Sequence, residues 1–312
     1  MGSFLRKSGY ISRIAKFVAA GGYDNEPRNS VMVSTRGTQK RDETKRKAWW
    51  GEFTFGENLT GKWELGPTTI WLSRSKSEWR VAYRSEYAPF SKKCAVTLPA
   101  SQSGMQRFVN QHGKEVTVSR YIFKNSTNRV IVRPMMADRP VVIRPETPFY
   151  VYPKEEITLY IASPAWIRME PDPLDKPLIE IPSLRPSDTW FGKSTVEGEL
   201  CYALLTGARL EYEVLAEYAY RIITPVCVRN RADDILQLDR FQVPVQYLTI
   251  YESNEVLWTP TITIERERSG DLAALQIGKN IPSEAGAGRL LQPPREKAHT
   301  NLIFRAFGGL FH

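Results

Sequence analysis

From Trp49 onward apolar and polar positions alternate with a period of two. The runs WWGEFTF, TTIWLSR, EWRVAYR, CAVTL, EVTVSRYIF, RVIVR, VVIR, FYVY, ITLYIA and AWIRME each place one apolar face opposite a polar or aromatic one. Gly, Pro, Asn and Ser punctuate them at intervals of about 8–12 residues, the rhythm of β-sandwiches and barrels. A second series follows, with ELCYALL, RLEYEV, YRIITPVCVRN, YLTIYES and TPTITIERER. Between the two lies PDPLDKP at 171–177, where three prolines remove backbone donors and predict a boundary. The stretch 199–220 holds a central Gly among β-branched and aromatic residues and favours a hairpin over a helix. These patterns predict an all-β chain of two packed antiparallel units, sandwich-like or barrel-like, at 48–172 and 178–269.

The ends break the alternation. Residues 3–20 carry a helical period, with Ser3 as a cap and Gly21-Gly22 as a stop. At about 100° per residue, Phe4, Ile11, Ile14, Ala15 and Val18 share one face. Arg6, Arg13 and Lys16 gather opposite, and Phe17 adds apolar surface. A basic amphipathic helix over 1–22 and a polar linker over 23–47 are therefore expected. Residues 270–312 read as a C-terminal arm that ends in NLIFRAFGGLFH. There Leu302, Ile303, Phe304, Phe307, Leu310 and Phe311 form an apolar end that must be covered. Burial against another molecule is the expectation, because the Pro-rich stretch before it allows reach.

Charge sharpens this division. The formal net charge of +9 concentrates at the termini, +7 over residues 1–47 and +3 over 279–312, leaving 48–278 at −1. A nearly neutral body lacks the basic groove that tracks phosphates, so nucleic acid is an unlikely partner. Basic arms suit a protein partner or peripheral contact with an anionic membrane face. One such helix is a weak membrane anchor, since four basic residues contribute about 4 kcal/mol near an anionic leaflet. Oligomerisation or a receiving protein groove would therefore be needed.

Candidate chemistry is sparse. Of three histidines, His112 sits in a turn, His299 in the tail and His312 at the last position, none suited to a rigid catalytic pocket. Nucleophile-elbow, zincin, P-loop and dinucleotide-binding motifs are absent. Cys94, Cys201 and Cys227 are far apart in apolar contexts and read as buried thiols of a reducing compartment. The carboxylate pairs Asp233-Asp234 and Glu155-Glu156, with Asp172 and Asp175, leave a carboxylate-based hydrolase as a third reading. Trp63, Trp71 and Trp79 fall in a tryptophan-rich stretch and could offer stacking platforms for a sugar or nucleic acid. The competing reading is core packing, and Gly66-Pro67 is expected to break any strand joining Trp63 to Trp71. No cofactor or metal is expected, nor any enzymatic activity. No run is apolar for long enough to span a bilayer as a helix and no signal peptide is visible, so the expected location is the cytoplasm, at most peripheral to the membrane.

Four segments carry a family resemblance: WELGPTTIWLSRSKSEWRVAY; RPMMADRPVVIRPETPFYVYPKEEITLYIASPAWIRM; GKSTVEGELCYAL; and AYRIITPVCVRNRADDILQLDRFQVPVQYLTIY. Over roughly residues 50–268 the chain resembles the prokaryotic proteins grouped as domain of unknown function 432. The resemblance carries no catalytic residue and implies a soluble β-rich protein. It points to a membrane-protein assembly, such as a mechanosensitive-type channel, as the partner class. The leading expectation is thus a non-catalytic interaction or scaffold protein whose two arms dock on a partner.

Overall fold

The computed structural model describes residues 48–124, 127–173, 176–194, 196–205, 207–298 and 302–308. The expected helix with Phe4, Arg6, Ile11, Arg13, Ile14, Lys16 and Phe17, the linker over 23–47, and Leu310 and Phe311 all lie outside these residues. Within them strand accounts for 50% and helix for 10%, so the fold is mostly β with several antiparallel sheets.

The first sheet is a meander. Thr60–Leu65, Thr68–Arg74 and Glu78–Ser85 pair in succession, antiparallel, with Cys94–Ala100 and Thr117–Ile122 at the edges. Gly66 and Pro67 do break the strand and make the first hairpin. Gly66 has φ +59, a conformation that favours glycine, and a Cβ there would overlap the Tyr220 ring. The helix Gln102–His112 joins the two edge strands. Its Met105 and Phe108 pack with Trp71 and Ala82, so one face of the meander is covered by helix.

The other meander face feeds the main core. Trp63 lies opposite Ile70, whereas Lys62 lies opposite Trp71. Because side chains alternate along a strand, this register sends Trp63 and Trp71 to opposite faces. Trp63 and Trp79 join Trp49, Phe53 and Phe55 in the core. Edge-to-face contacts of 5.2 Å link Phe53 to Trp63 and Phe55 to Trp79.

A second antiparallel sheet runs Gly51–Thr54, Arg129–Met135, Trp166–Asp172, Ile179–Pro182. The eight-stranded third sheet is centred on Arg221–Asn230, which pairs antiparallel with Glu156–Pro164 and parallel with Val256–Trp258 and Ile262–Arg266. That central strand is buried almost throughout, which explains its continuous apolar run. A small mixed sheet joins Ser187–Gly192, Gly198–Ala203, Val141–Ile143 and Phe241–Val243.

Three expectations about organisation change. The proline run is not a boundary, because the strands on either side of it, Trp166–Asp172 and Ile179–Pro182, pair with each other. Nine register pairs between Glu156–Pro164 and Arg221–Asn230 then tie the two expected units together. Lys45–His312 accordingly forms one compact unit. The stretch 199–220 holds the end of one strand and the one-turn helix Glu213–Ala216 in place of a hairpin.

The C-terminal arm is also corrected. Leu302–Arg305 is an edge strand on Leu272–Ile277 of the same chain. Leu302 and Phe304 pack against the main core, and Phe307 is 5% exposed and bridges to Phe241. Ile303 alone of these four is largely exposed, at 68%. The backbone explains the intramolecular docking. Ala306 N–H and Phe307 N–H both donate to Asp271 O, at 2.9 and 3.1 Å, and Gln242 N–H donates to Ala306 O at 2.9 Å.

Candidate functional site

The tryptophans do not make a ligand platform. Trp63 and Trp79 are fully buried and Trp71 is nearly so, since the core and the helix cover the two meander faces they occupy. A cleft of about 820 Å³ lies where the first, second and small mixed sheets meet, with exposed Tyr87 at its edge. It is lined by Tyr83, Arg84 and Tyr87 from the first sheet and the loop after it, by Trp166 and Pro182 from the second, and by Arg139 and Tyr202.

Each wall is held by its own contacts. Arg84 donates to Glu115 at 2.8 Å and pairs with Glu86. Tyr202 packs on Trp166 with centroids 5.4 Å apart, and the Arg139 guanidinium sits 5.3 Å from the Tyr202 ring. Arg139 also pairs with Asp188 at 3.2 Å, and the Tyr202 hydroxyl donates to Asp138 at 3.0 Å. Burial, with that acceptor carboxylate, holds the Tyr202 phenol above its ordinary pKa, so it remains a neutral donor. Arg185 also lines the cleft.

The loop over 86–93 stands at the cleft and is pinned from beneath. Tyr220, fully buried, donates from its hydroxyl to Ser91 O at 2.8 Å. Arg221 is 1% exposed, lies 4.4 Å from the Tyr218 ring centroid and donates to Pro89 O. At its ends, Glu86 N–H donates to Pro67 O at 3.0 Å, and Gly66 N–H donates to Lys93 O at 2.7 Å. Lys93 pairs with Glu64 at 2.6 Å. The backbone is therefore fixed, yet Tyr87 is 85% and Phe90 67% exposed. Aromatic side chains on a fixed loop, beside Trp, Tyr and Arg in a cleft, are the residue types that anchor protein interfaces, and their fixed backbone lowers the ordering cost of binding.

Sequence reading missed this loop. EYAPFSKKC lies between EWRVAYR and CAVTL, so its loop character was legible, and two aromatics within a loop were the available signal. The clamp from Tyr220 and Arg221 was not, because it reaches across about 130 residues of chain. Of the carboxylates considered for hydrolysis, Asp233 pairs with Lys154 and Asp234 with Arg266, while Glu156 pairs with Arg229 and Asp172 with Arg129. Cys94, Cys201 and Cys227 form no disulfide. No group of three or more His, Cys, Asp or Glu able to hold a metal occurs among the described residues. No described helix is long and apolar enough to cross a membrane.

The family model described as "Protein of unknown function (DUF432)" matches residues 49–312. No curated protein and no solved structure matches the chain.

Proposed function

For this chain, which belongs to the DUF432 family, we propose a non-catalytic role as an interaction module that receives a protein partner at the Tyr87–Phe90 loop and the adjoining cleft. The observation that carries the reading is the loop itself. Two aromatic side chains are held out in water by a backbone bonded to buried Tyr220 and Arg221. Holding apolar rings in solvent forgoes about 1.5–3 kcal/mol of burial for a Phe-sized side chain, which contact with a partner would recover. The cleft beside it supplies Tyr202 and Arg139 as further anchors. The basic stretch ahead of residue 48 adds long-range attraction toward an acidic partner or one seated at an anionic membrane, and a membrane-protein assembly satisfies both. The docking role earlier assigned to the C-terminal segment passes to this loop, since Leu302, Phe304 and Phe307 are occupied within their own chain.

Site-specific photo-cross-linking in the native host tests this. A photoreactive phenylalanine at position 87 of the full chain should give one discrete protein adduct. The same probe at Val196, which is 88% exposed on another loop, should not. Phe90→Ala should reduce the adduct at 87. Equal labelling from both positions, or no adduct at 87, would refute the proposal.

A further inference from the structure

The strands that line the cleft offer side chains and little free backbone. Tyr83 has strand neighbours on both sides, pairing with Ile70 and Thr117. Trp166 pairs with Met135 and Pro182, and Tyr202 with Asp188 and Val141. Pro182 and Pro186 have no N–H, and Ser183 N–H donates to Ala165 O at 2.8 Å. Ser187–Gly192 is an edge strand, yet its Trp190 O already accepts from Arg240. A segment entering the cleft therefore meets few main-chain groups with which to extend a sheet.

What it meets is aromatic. Tyr83, Tyr87 and Tyr202 bring phenol rings to one lining. Tyr202 gives its hydroxyl to Asp138, so the donors toward an incoming segment are those of Tyr83 and Tyr87. Such donors call for free carbonyl acceptors set among apolar surface. An α-helix uses its carbonyls within itself. A polyproline II segment has no internal hydrogen bonds, keeps its carbonyls free and packs its pyrrolidine rings into aromatic grooves. Its fixed φ also lowers the entropy lost on binding.

Charge at the mouth adds a second requirement. Arg84 pairs with Glu86 and Glu115, and Arg139 with Asp188. In each pair the carboxylate is the more exposed partner, 58% to 65% against 20% to 39% for the arginines. Arg185 is exposed as well, and three carboxylates against it leave the accessible lining negative. A Lys or Arg on the segment complements that sign. Such a residue acts at contact and is compatible with a partner that is acidic overall, since the attraction of the basic stretch ahead of residue 48 acts at longer range.

We propose that the cleft recognises a proline-rich, polyproline II segment of the partner that carries a Lys or Arg beside its prolines. The inference rests on the interaction role proposed above and names what docks there. The prolines pack among Tyr83, Tyr87 and Tyr202, and the cation lies toward the exposed carboxylates.

An array of synthetic decapeptides holding Pro-x-x-Pro with Lys or Arg on either side, probed with the full chain, tests this. Affinities of the retained peptides are read by fluorescence anisotropy. Binding should fall about tenfold or more when both prolines become Ala, and by a similar factor when the basic residue becomes Glu. Tyr87→Ala, at a largely exposed side chain, should weaken the same peptides about tenfold with an unchanged melting temperature. Failure of every peptide to bind, equal binding of the Ala-substituted peptides, or equal affinity in Tyr87→Ala would overturn the proposal. A retained peptide, added in excess to an extract of the native host during photo-cross-linking at position 87, should suppress the adduct. An adduct that persists overturns the proline-rich assignment alone, whereas absence of any adduct overturns the docking role and this inference with it.

Discussion

Replacing Phe307 by Ala separates a tail that belongs to its own core from one reserved for another molecule. Phe307 is 5% exposed, beside fully buried Phe241 and Ala306. Truncating a core Phe removes its transfer free energy and leaves a cavity, at a combined cost of about 3–5 kcal/mol. The backbone here is held by two N–H donors to Asp271 O and one from Gln242 to Ala306 O, so collapse into the cavity is restricted and the cost should sit in that range. For a folded unit of this size the loss corresponds to a fall of about 10 °C in Tm. Ile303→Ala in the same segment, at a site 68% exposed, should cost no more than about 0.5 kcal/mol. Both variants are followed by circular dichroism on heating and by urea titration, with mass from light scattering. An unchanged Tm for Phe307→Ala together with a smaller assembly mass would refute this placement of the tail and restore the intermolecular reading.

Further expectations concern the buried polar groups. Burial pushes the Cys201 thiol up to about 12 from 9.0, while the unfolded thiol ionises near its ordinary value. The unfolded state therefore loses its proton first, so this contribution to stability is complete below pH 9.0 and declines as the pH rises toward 12. Tyr160, pushed up to about 12 from 10.0 by burial and the Glu284 carboxylate, acts in the same direction from pH 10.0 upward. Urea titrations at increasing alkaline pH should show falling midpoints, and a midpoint that rises would contradict the sign. Iodoacetamide on the native protein should modify half-buried Cys94 before buried Cys201 and Cys227, with all three labelled in urea; early labelling of Cys201 would refute its burial. Arg221→Met should keep global stability within about 1 kcal/mol, because Nε and Nη1 of this buried arginine have no partner and an apolar isostere removes a desolvated charge. The same change should raise amide exchange over 88–91 by removing the bond to Pro89 O, and unchanged exchange there would show that Arg221 does not clamp the loop.

Local chemistry along the chain was enough to determine the strands and the class. Alternation from Trp49 sets the β content, and Gly66-Pro67 sets the first hairpin, because side-chain period and backbone freedom act over neighbouring residues. Whether a strand pattern belongs to one unit or two is a different matter. The prolines of 171–177 have the same local effect in a hairpin as in a linker, and only the pairing of Trp166–Asp172 with Ile179–Pro182 separates the cases. The same limit explains the tryptophans, since alternation says that Trp63 and Trp71 have faces but not what covers them. The covering groups are the core beneath Trp63 and the helix with Met105 and Phe108 over Trp71. It also explains the tail: NLIFRAF was legibly apolar, but its partner strand Leu272–Ile277 lies some 30 residues earlier in a stretch without clear alternation. The candidate site depends on such distant contacts. The aromatic loop is an anchor because Tyr220 and Arg221 fix it. Composition and periodicity are sums over neighbours, whereas register and burial are settled by which strands meet.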